Sequence, residues 1–476
     1  MMTTHTVTTM LIGAGEAGVE LLQDLARHPE NPTRVVCVID DDATKTGTNL
    51  CGVPVVGGRE CILSCVERYG VHNIILAIPS ADVQSRKNIL DICQQTDCTL
   101  KTLPTLSQFV DPYANIQLVR DVSIDELLGR PPSMVDLSAI TRHVEEKTIL
   151  VTGGGGSIGS ELCRQLAHQP IKKLILLEIY ENGAYDIQQE LLEENPNVPL
   201  EILIGSVRDK DRLKHIFSHF QPDIVIHAAA HKHVPLMEAS PHEAVKNNVF
   251  GTRNLAELSD IYGVKNFLLI STDKAVNPTN IMGASKRICE MIVQMYNNRS
   301  KTEFVAVRFG NVLGSNGSVV PLFRRQIASG GPVTVTHPEI NRFFMTIPEA
   351  VSLVLAAGAA ARGGEIFVLD MGEPVKIVDM AKKLIRLSGY APKDIQIVFT
   401  GLRPGEKLYE EILMDEEGLN KTDNEKIYVA APIEFDEDFF LSQLNDLGRL
   451  AHDEKADIRQ AIMNIVPTYR PTAYSN

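Results

Sequence analysis

The sequence predicts an α/β protein with two domains, each built on a doubly wound parallel sheet. Three observations lead to this prediction. Short apolar runs alternate with amphipathic stretches along most of the chain, as strands and helices do in such folds. Two of the apolar runs lead directly into glycine-rich turns, at residues 13–18 and 153–159. A third run, at residues 267–270, ends in a cluster of polar side chains.

The composition is typical of a soluble globular protein and excludes several classes of function. Of the 476 residues, 44% are hydrophobic and 22% are charged. The net charge of −14 argues against a nucleic-acid partner. The eight cysteines form no CxxC pair, so we expect reduced thiols in a cytoplasmic protein and no metal site. No apolar run approaches the ~20 residues that span a bilayer.

We predict four parts along the chain. Residues 1–120 form the first domain, and residues 121–145 form a linker that contains a Gly/Pro turn signal. Residues 146–430 form the second domain. Residues 431–476 are an acidic tail, in which we expect solvated helix and loop without a chemical role.

The first glycine turn follows the apolar run 9–12 and precedes an amphipathic stretch. Gly13, Gly15 and Gly18 fit the GxGxxG pattern of Rossmann-like domains that hold a dinucleotide. Asp40 follows the next apolar run, where such domains have a ribose-binding acid. A bound nucleotide and a glycine turn kept only for packing are equal alternatives here.

The second glycine turn carries a stronger signal, because the strand before it, the helix after it and the next strand are all in register. Its glycines are spaced as GxxGxxG, which turns the chain, admits a pyrophosphate and lets the helix pack on its strand. We assign cofactor binding to these residues of the turn: Gly153, Gly156, Ser157, Ile158 and Gly159.

The next apolar run, 174–177, ends in Glu178. A carboxylate at this position can accept hydrogen bonds from the adenosine ribose and would repel a 2′-phosphate. We therefore expect NAD as the cofactor, with NADP as the alternative. Later strand ends and the start of the following helix supply further candidate cofactor residues: Ser206, Val207, Ala228, Ala229, Ala230 and Asn248.

The segment His231-Lys232-His233 follows the three alanines. Its histidines lack a third ligand at a spacing typical of metal sites. We interpret Lys232 and His233 as a basic patch that faces phosphates or a sugar, with solvated turn residues as the alternative.

The polar turn, Ser271-Thr272-Asp273-Lys274, comes directly after the apolar run 267–270. That run is typical of a buried parallel strand, and open α/β sheets bind their ligands at the carboxyl ends of such strands. A capped turn with a solvated lysine is the alternative. The two dinucleotide-type turns favour a functional site.

From residue 147 to residue 411 the sequence resembles the extended short-chain dehydrogenase/reductases. More narrowly, it resembles the polysaccharide-biosynthesis nucleotide-sugar 4,6-dehydratases that act on UDP-N-acetylglucosamine. The first domain resembles the amino-terminal Rossmann-like domain of the large members. The blocks that carry the resemblance in the second domain are residues 152–159, 227–238, 271–286, 308–318, 342–349 and 403–407.

The resemblance also implies properties of the whole protein. Large members usually carry transmembrane helices ahead of the first domain, so we expect membrane association only if such an anchor has been removed from this chain. Family members associate, and we expect a homo-oligomer. The implied reaction moves a hydride from C4 of the sugar to NAD, eliminates water across C5 and C6, and returns the hydride to C6, with the C5 configuration retained.

The resemblance assigns the chemistry to a few residues. Most short-chain dehydrogenases use Tyr-x-x-x-Lys, but here Met282 takes the tyrosine position, as in the large dehydratases, and Lys286 would hold the nicotinamide ribose. Asp273 would be the acid for the C6 hydroxyl, Lys274 the C5 base, and Thr272 would bond near O4. Since Lys274 must act as a neutral base, we expect burial and nearby Lys286 to lower its pKa. We expect burial to keep Asp273 protonated.

The last third of the chain supplies a small α/β substrate-binding lobe, which includes a strand at 364–370 and an amphipathic helix at 375–387. Its Gly/Ser-rich segment and two arginines suit a diphosphate, although each arginine has a surface ion pair as its alternative. The candidate substrate residues here are Asn311, Ser318, Val319, Arg342 and Arg403.

Two rival functions fit the same fold. A UDP-sugar 4-epimerase needs hydride transfer without elimination, and the adjacent Asp273 and Lys274 argue against it. A nucleotide-sugar sensor without turnover is the other rival, and Met282 is the residue that most favours it, because methionine cannot move a proton.

Overall fold

The computed structural model describes residues 6–103, 119–122, 126, 135–390, 393–411 and 418–471. The chain forms two compact units. The first consists of Met1–Pro132, Val319–Val335 and Val378–Phe399, and the second of Ser133–Ser318, Thr336–Ile377 and Thr400–Asn476.

The first unit is built on a seven-stranded sheet whose central strands are parallel. Leu11, Leu21, Val38 and Ile75 form its core, where strands meet helices. In spatial order, the strands are Asn49–Leu50, Val53–Gly57, Thr33–Ile39, Val7–Ile12, Asn73–Leu76, Thr99–Thr102 and Arg120–Asp121. The other elements of this unit are the helices Glu16–Arg27, Ile62–Tyr69, Val83–Cys93, Val319–Ala328 and Ile377–Leu387 (from Val378), and the parallel strands Val333–Val335 and Ile397–Phe399.

The second unit is built on a nine-stranded sheet. Its first seven strands are parallel, with the strand order of a doubly wound dinucleotide-binding sheet, and the last two strand pairings are antiparallel. In spatial order, the strands are Leu200–Ile204, Lys173–Glu178, Thr148–Thr152, Ile224–His227, Asn266–Ile270, Glu303–Arg308, Ile366–Leu369, Ile427–Ala430 and Leu419–Lys421.

Helices cover both faces of this sheet. Along the strand Asn266–Ile270, Phe267 and Leu269 pack into one apolar cluster while Leu268 packs into the other, because successive side chains point to opposite faces. The helices are Leu137–Val144, Ser157–Ala167, Glu181–Glu194, Lys210–Phe220, Val234–Ala239, Pro241–Ala244, Phe250–Ile261, Ile281–Arg299, Ile347–Ala360, Glu437–Leu450 and Ile458–Ile465. Two short strand pairs join Asn311–Val312 to Phe344–Met345, and Asn341–Arg342 to Val375–Lys376. The predicted α/β class with parallel sheets is confirmed.

The expectation of a solvated acidic tail was wrong. Within the helix Glu437–Leu450, the side chains of Phe440, Leu444 and Leu447 are buried in the core of the second unit, together with Tyr469 further along. Acidic residues lie on the outer face of this helix, so the charge read from the sequence did not reveal the apolar stripe beneath it.

The unit limits differ from the predicted domain limits, because residues 319–335 and 378–399 group with the first unit. The domain division read from the sequence therefore stays a prediction. Residues 123–125 and 127–134 of the predicted linker, which include its turn signal, lie outside the described residues, and its later part forms the helix Leu137–Val144. Among the residues that the structure does describe, no helix is both long and apolar enough to cross a bilayer.

Candidate active site

The glycine turn of the second unit requires its glycines for close packing and leads into an uncapped helix. Gly153 has a φ of +71°, and a Cβ added there would lie 2.7 Å from the backbone nitrogen of Ala229. A Cβ on Gly159 would collide with the carbonyl oxygen of Gly153. The helix Ser157–Ala167 begins at Gly156 without a side-chain cap, so its first amides are available to an anion. These features fit the pyrophosphate of a dinucleotide.

Glu178 is buried at the end of its strand, as predicted from the sequence. Its carboxylate accepts hydrogen bonds from the backbone amides of Gly155 at 3.0 Å, Ile179 at 2.8 Å and Tyr180 at 3.0 Å. These bonds fix the carboxylate beside the glycine turn. Because a carboxylate offers about four lone-pair sites, they leave it able to accept a ribose hydroxyl as well.

The remaining predicted cofactor residues line the neighbouring strand ends. Asn248 lies in a π-helical turn, and its side chain bonds both the amide and the carbonyl of His231, at 2.8 and 3.1 Å, and the Ser285 hydroxyl at 3.0 Å. Asn248 therefore secures the loop that follows Ala228, Ala229 and Ala230. Ser206 and Val207 follow the edge strand Leu200–Ile204, and Val207 is buried.

The polar turn leaves the sheet as a single 3₁₀ turn, Asp273–Ala275, and brings three predicted residues together. The Thr272 hydroxyl donates to Asp273 Oδ1 at 2.7 Å, and Lys274 Nζ donates to the same oxygen at 2.9 Å. Lys274 Nζ also lies 3.4 Å from Asn311 Oδ1. Asp273 is completely buried, and the Lys274 side chain is 17% exposed. The turn therefore holds a buried ion pair.

Glu410 belongs to this site, although the sequence analysis did not identify it. Its Oε1 lies 3.5 Å from Lys274 Nζ and 3.7 Å from Arg342 Nε. Glu410 falls just after the block 403–407, but no motif spacing links it to the polar turn. Only the fold brings these residues together.

The expectation that the pKa of Lys274 is lowered was wrong. Burial lowers this pKa, but the carboxylates of Asp273 and Glu410 outweigh burial and Arg342, so the net shift is upward. For Glu410, burial raises the pKa, although the charge of Lys274 opposes that effect.

The predicted cofactor lysine and the methionine lie on the helix Ile281–Arg299, which follows the polar turn. Met282 and Lys286 are each 5% exposed, and burial lowers the pKa of Lys286. The helix begins at Asn280, whose side chain accepts from the amide of Gly283 at 2.8 Å. Met282 and Lys286 are four residues apart, so their side chains lie on the same face of the helix, one turn apart.

A buried ion pair behind the polar turn was also missed from the sequence. Arg308 donates to both oxygens of Glu290 at 2.7 Å, and neither side chain is exposed. The Ser271 hydroxyl donates to Glu290 Oε1 at 2.6 Å. These bonds tie the first residue of the polar turn to the helix on one side and to the neighbouring strand on the other.

The two predicted substrate arginines have intramolecular partners. Arg342 is buried and donates to the carbonyls of Asn341 at 2.6 Å, Lys407 at 2.7 Å and Leu408 at 3.2 Å. Arg403 is 58% exposed and pairs with Glu406 at 3.1 Å. Arg342 thus holds the segment that carries Glu410, and a phosphate contact from either arginine stays a prediction.

The other predicted substrate residues are spread over several loops. Lys232 and His233 precede the helix Val234–Ala239, and burial lowers the pKa of both side chains. Ser318 Oγ is buried and finds no hydrogen-bond partner among the described residues. Val319 begins a helix assigned to the first unit.

The glycine turn of the first unit is stabilised by contacts with Asp40. Gly13 has a φ of +112°, as a tight turn requires. The Asp40 carboxylate accepts from the Ala14 amide at 2.6 Å and pairs with Lys45 at 3.1 Å. These contacts stabilise the turn itself, so nucleotide binding and packing stay open as alternatives for this unit.

Comparison with known proteins identifies related chains. The sequence pattern of a family described as polysaccharide biosynthesis protein matches residues 149–432, and that of a CoA-binding domain matches residues 2–104. The probable polysaccharide biosynthesis protein EpsC of Bacillus subtilis is 45% identical over 460 residues, which are 96% of this chain and 76% of the relative.

Two further relatives match somewhat less than two thirds of this chain. An inverting UDP-N-acetylglucosamine 4,6-dehydratase of Campylobacter jejuni is 34% identical over 317 residues, covering 65% of this chain and 91% of the relative. The X-ray structure of Pen from Bacillus thuringiensis superposes with a TM-score of 0.57 at 33% identity, over 61% of this chain and 90% of that one.

Proposed function

The chain belongs to the polysaccharide biosynthesis protein family of extended short-chain dehydrogenase/reductases, and from this we propose that it is a nucleotide-sugar 4,6-dehydratase. The proposed reaction converts UDP-N-acetylglucosamine to a UDP-4-keto-6-deoxy sugar for polysaccharide or glycoconjugate synthesis. The single observation that carries the proposal is the buried Asp273–Lys274 pair at the carboxyl end of a central strand.

Elimination of water needs an acid for the departing C6 hydroxyl and a base for the C5 proton. The Asp273–Lys274 pair supplies both when one proton moves across the 2.9 Å between Lys274 Nζ and Asp273 Oδ1. That transfer turns the ion pair into a carboxylic acid and a neutral amine without changing the total charge. The upward shift of the Lys274 pKa is therefore compatible with its proposed role, since its proton goes to a neighbour and not to water.

The 4-hydroxyl also has to lose a proton when C4 is oxidised. Met282, which takes the usual tyrosine position, cannot accept one. We assign this role to a water held by Thr272, whose hydroxyl lies 2.7 Å from Asp273 Oδ1, or to Lys274, which would have to release that proton to water before it takes the C5 proton.

The proposed cofactor is NAD, which would accept the C4 hydride and return it to C6. Gly153, Gly156 and Gly159 let the turn pack closely against Ala229 and against itself, and the uncapped amides of the following helix would bind the pyrophosphate. Glu178 would accept the adenosine ribose, and Lys286 would donate to the nicotinamide ribose.

We propose that the C5 configuration is retained. Lys274 is the base assigned to the C5 proton, and the same side chain can return that proton to the face from which it came. The Campylobacter relative is described as inverting, which is the opposite outcome. The configuration at C5 therefore has to be measured on the product of this chain.

The test is to incubate the full chain with UDP-N-acetylglucosamine and follow the products by mass spectrometry and NMR. The proposal predicts a product lighter by one water, with a 4-keto group and a new C6 methyl. A product of unchanged mass would indicate an epimerase, and an unconsumed substrate would indicate a sensor. Either result contradicts the proposed function.

A further inference from the structure

Lys274 is enclosed by two carboxylates. Its Nζ lies 2.9 Å from Asp273 Oδ1 and 3.5 Å from Glu410 Oε1. Asp273 is 0% exposed and Glu410 is 9% exposed. Each carboxyl group keeps one buried oxygen, Asp273 Oδ2 and Glu410 Oε2, without a hydrogen-bond partner in the part of the chain that the structure describes. A second acid with an unused acceptor atom therefore faces the proposed base.

Glu410 is held in this position by its own segment. Arg342 Nη2 donates to the Lys407 carbonyl at 2.7 Å, and its Nε lies 3.7 Å from Glu410 Oε1. Asn280, which caps the helix after the polar turn, donates to the Gly405 carbonyl at 3.0 Å. The segment is thus bonded to Arg342 and to the start of the helix that follows the polar turn, which fixes Glu410 relative to Lys274.

We propose that Glu410 is a positioning residue that holds Lys274 together with Asp273 and controls the protonation of the Asp273–Lys274 pair. This inference rests on the proposed dehydration, for which the pair must carry one proton. If the pair carries no proton, Asp273 cannot act as the acid. If the pair carries two protons, Lys274 cannot act as the base.

The direction of the effect follows from the charges that face the pair. Lys274 is faced by Asp273, Glu410 and Arg342, and Glu410 is faced in addition by Lys407. A negative Glu410 makes the pair hold its protons more tightly, while the two cations oppose this in part. Removing the Glu410 charge therefore lets the pair release protons at lower pH.

The test compares Glu410→Gln with Glu411→Gln in the full chain. Both variants remove one negative charge, but Glu411 is exposed and pairs with Lys407. The rate at which acetic anhydride labels Lys274 at a fixed pH of about 8 reports its neutral fraction, with exposed Lys301 as the internal standard. We expect labelling of Lys274 to become about tenfold faster in Glu410→Gln, equivalent to one pH unit, and to stay unchanged in Glu411→Gln. Unchanged labelling in Glu410→Gln would overturn the inference.

The pH dependence of kcat gives a second readout. We expect both limbs of the profile to move to lower pH in Glu410→Gln only, whereas a reduced kcat with an unmoved profile would make Glu410 purely structural. If the unmodified chain does not dehydrate the sugar, the proposed function fails while labelling still tests Glu410. If Glu410→Gln does not fold, Glu410→Asp replaces it in the test, because its side chain is one methylene shorter and holds the carboxylate further from Lys274. The inference then requires faster labelling of Lys274 in Glu410→Asp.

Discussion

At Lys274, three opposing influences act on a single ammonium group. Burial favours its neutral form, and Asp273 and Glu410 favour its charged form. In the structure Lys274 Nζ lies 2.9 Å from Asp273 Oδ1, and the proposed reaction needs the neutral form of the lysine. Because Lys274 Nζ and Asp273 Oδ1 are within hydrogen-bond distance, the neutral form of Lys274 requires only that one proton moves from the lysine to the aspartate.

Replacing Lys274 by alanine tests this role. We expect Lys274→Ala to lower kcat for dehydration by about 10²–10⁴-fold, because a positioned base contributes that much. Binding of UDP-N-acetylglucosamine, measured by calorimetry, should survive. Lys301→Ala, at an exposed site, is the control and should keep full activity. Near-normal turnover in Lys274→Ala would remove this lysine as the base.

The sequence could identify Thr272, Asp273 and Lys274 because they are adjacent and follow an apolar run. It could not identify Glu410 or Arg308, because their partners are distant in sequence and no motif spacing connects them. It also predicted the wrong direction for the Lys274 pKa, since burial was visible in the pattern and the second carboxylate was not.

At the scale of elements, the helix Ile281–Arg299 organises the site. Its residues from Ile281 to Met295 are all buried, so it has no solvent-facing side over that length. Such a helix lacks a clear amphipathic signature, and the sequence showed only its first turns through the motif that includes Met282 and Lys286. Its charged anchor is the Glu290–Arg308 pair.

Breaking that anchor tests the helix's role. We expect Glu290→Gln to lower the free energy of unfolding by about 3–5 kcal/mol, since it removes the buried carboxylate that accepts both hydrogen bonds from Arg308. Exposed Glu193→Gln should change it by less than ~0.5 kcal/mol. Urea unfolding at neutral pH measures both. A change in Glu290→Gln no larger than in the control would contradict this account of the pair.

The same pair predicts a pH dependence. Burial raises the pKa of Glu290, but Arg308, Arg287 and the Ser271 hydroxyl together outweigh burial, and the net shift is downward from 4.5. A lowered pKa contributes stability above the unfolded value and loses it as the pH falls through the folded value. The stability difference between the original chain and Glu290→Gln should therefore narrow as the pH falls below 4.5. A constant difference would count against this linkage.

At the scale of the whole molecule, the last helices complete the core of the second unit. On the helix Glu437–Leu450, Phe440 is 1% exposed while its neighbour Phe439 is 64% exposed. One face of this helix is therefore buried in the core and the other face is exposed to solvent. The parallel sheets were predictable from apolar runs and glycine turns. The packing of the tail was not, because its contacts are made with residues far away in the sequence.

The two phenylalanines form a matched test. We expect Phe440→Ala to cost about 3–5 kcal/mol in unfolding free energy, as large-to-small changes in a core do. Phe439→Ala should cost less than ~0.5 kcal/mol. Equal effects of the two changes in thermal or urea unfolding would show that the tail does not belong to the core.

The central claim is an internal transfer of hydride coupled to loss of water, and one isotope measurement tests it most directly. UDP-N-acetylglucosamine carrying deuterium at C4 is incubated with the full chain, and the product is examined by NMR. The account predicts that the deuterium appears in the C6 methyl group of a 4-keto product. Deuterium that remains at C4, or that is lost to solvent, would contradict it.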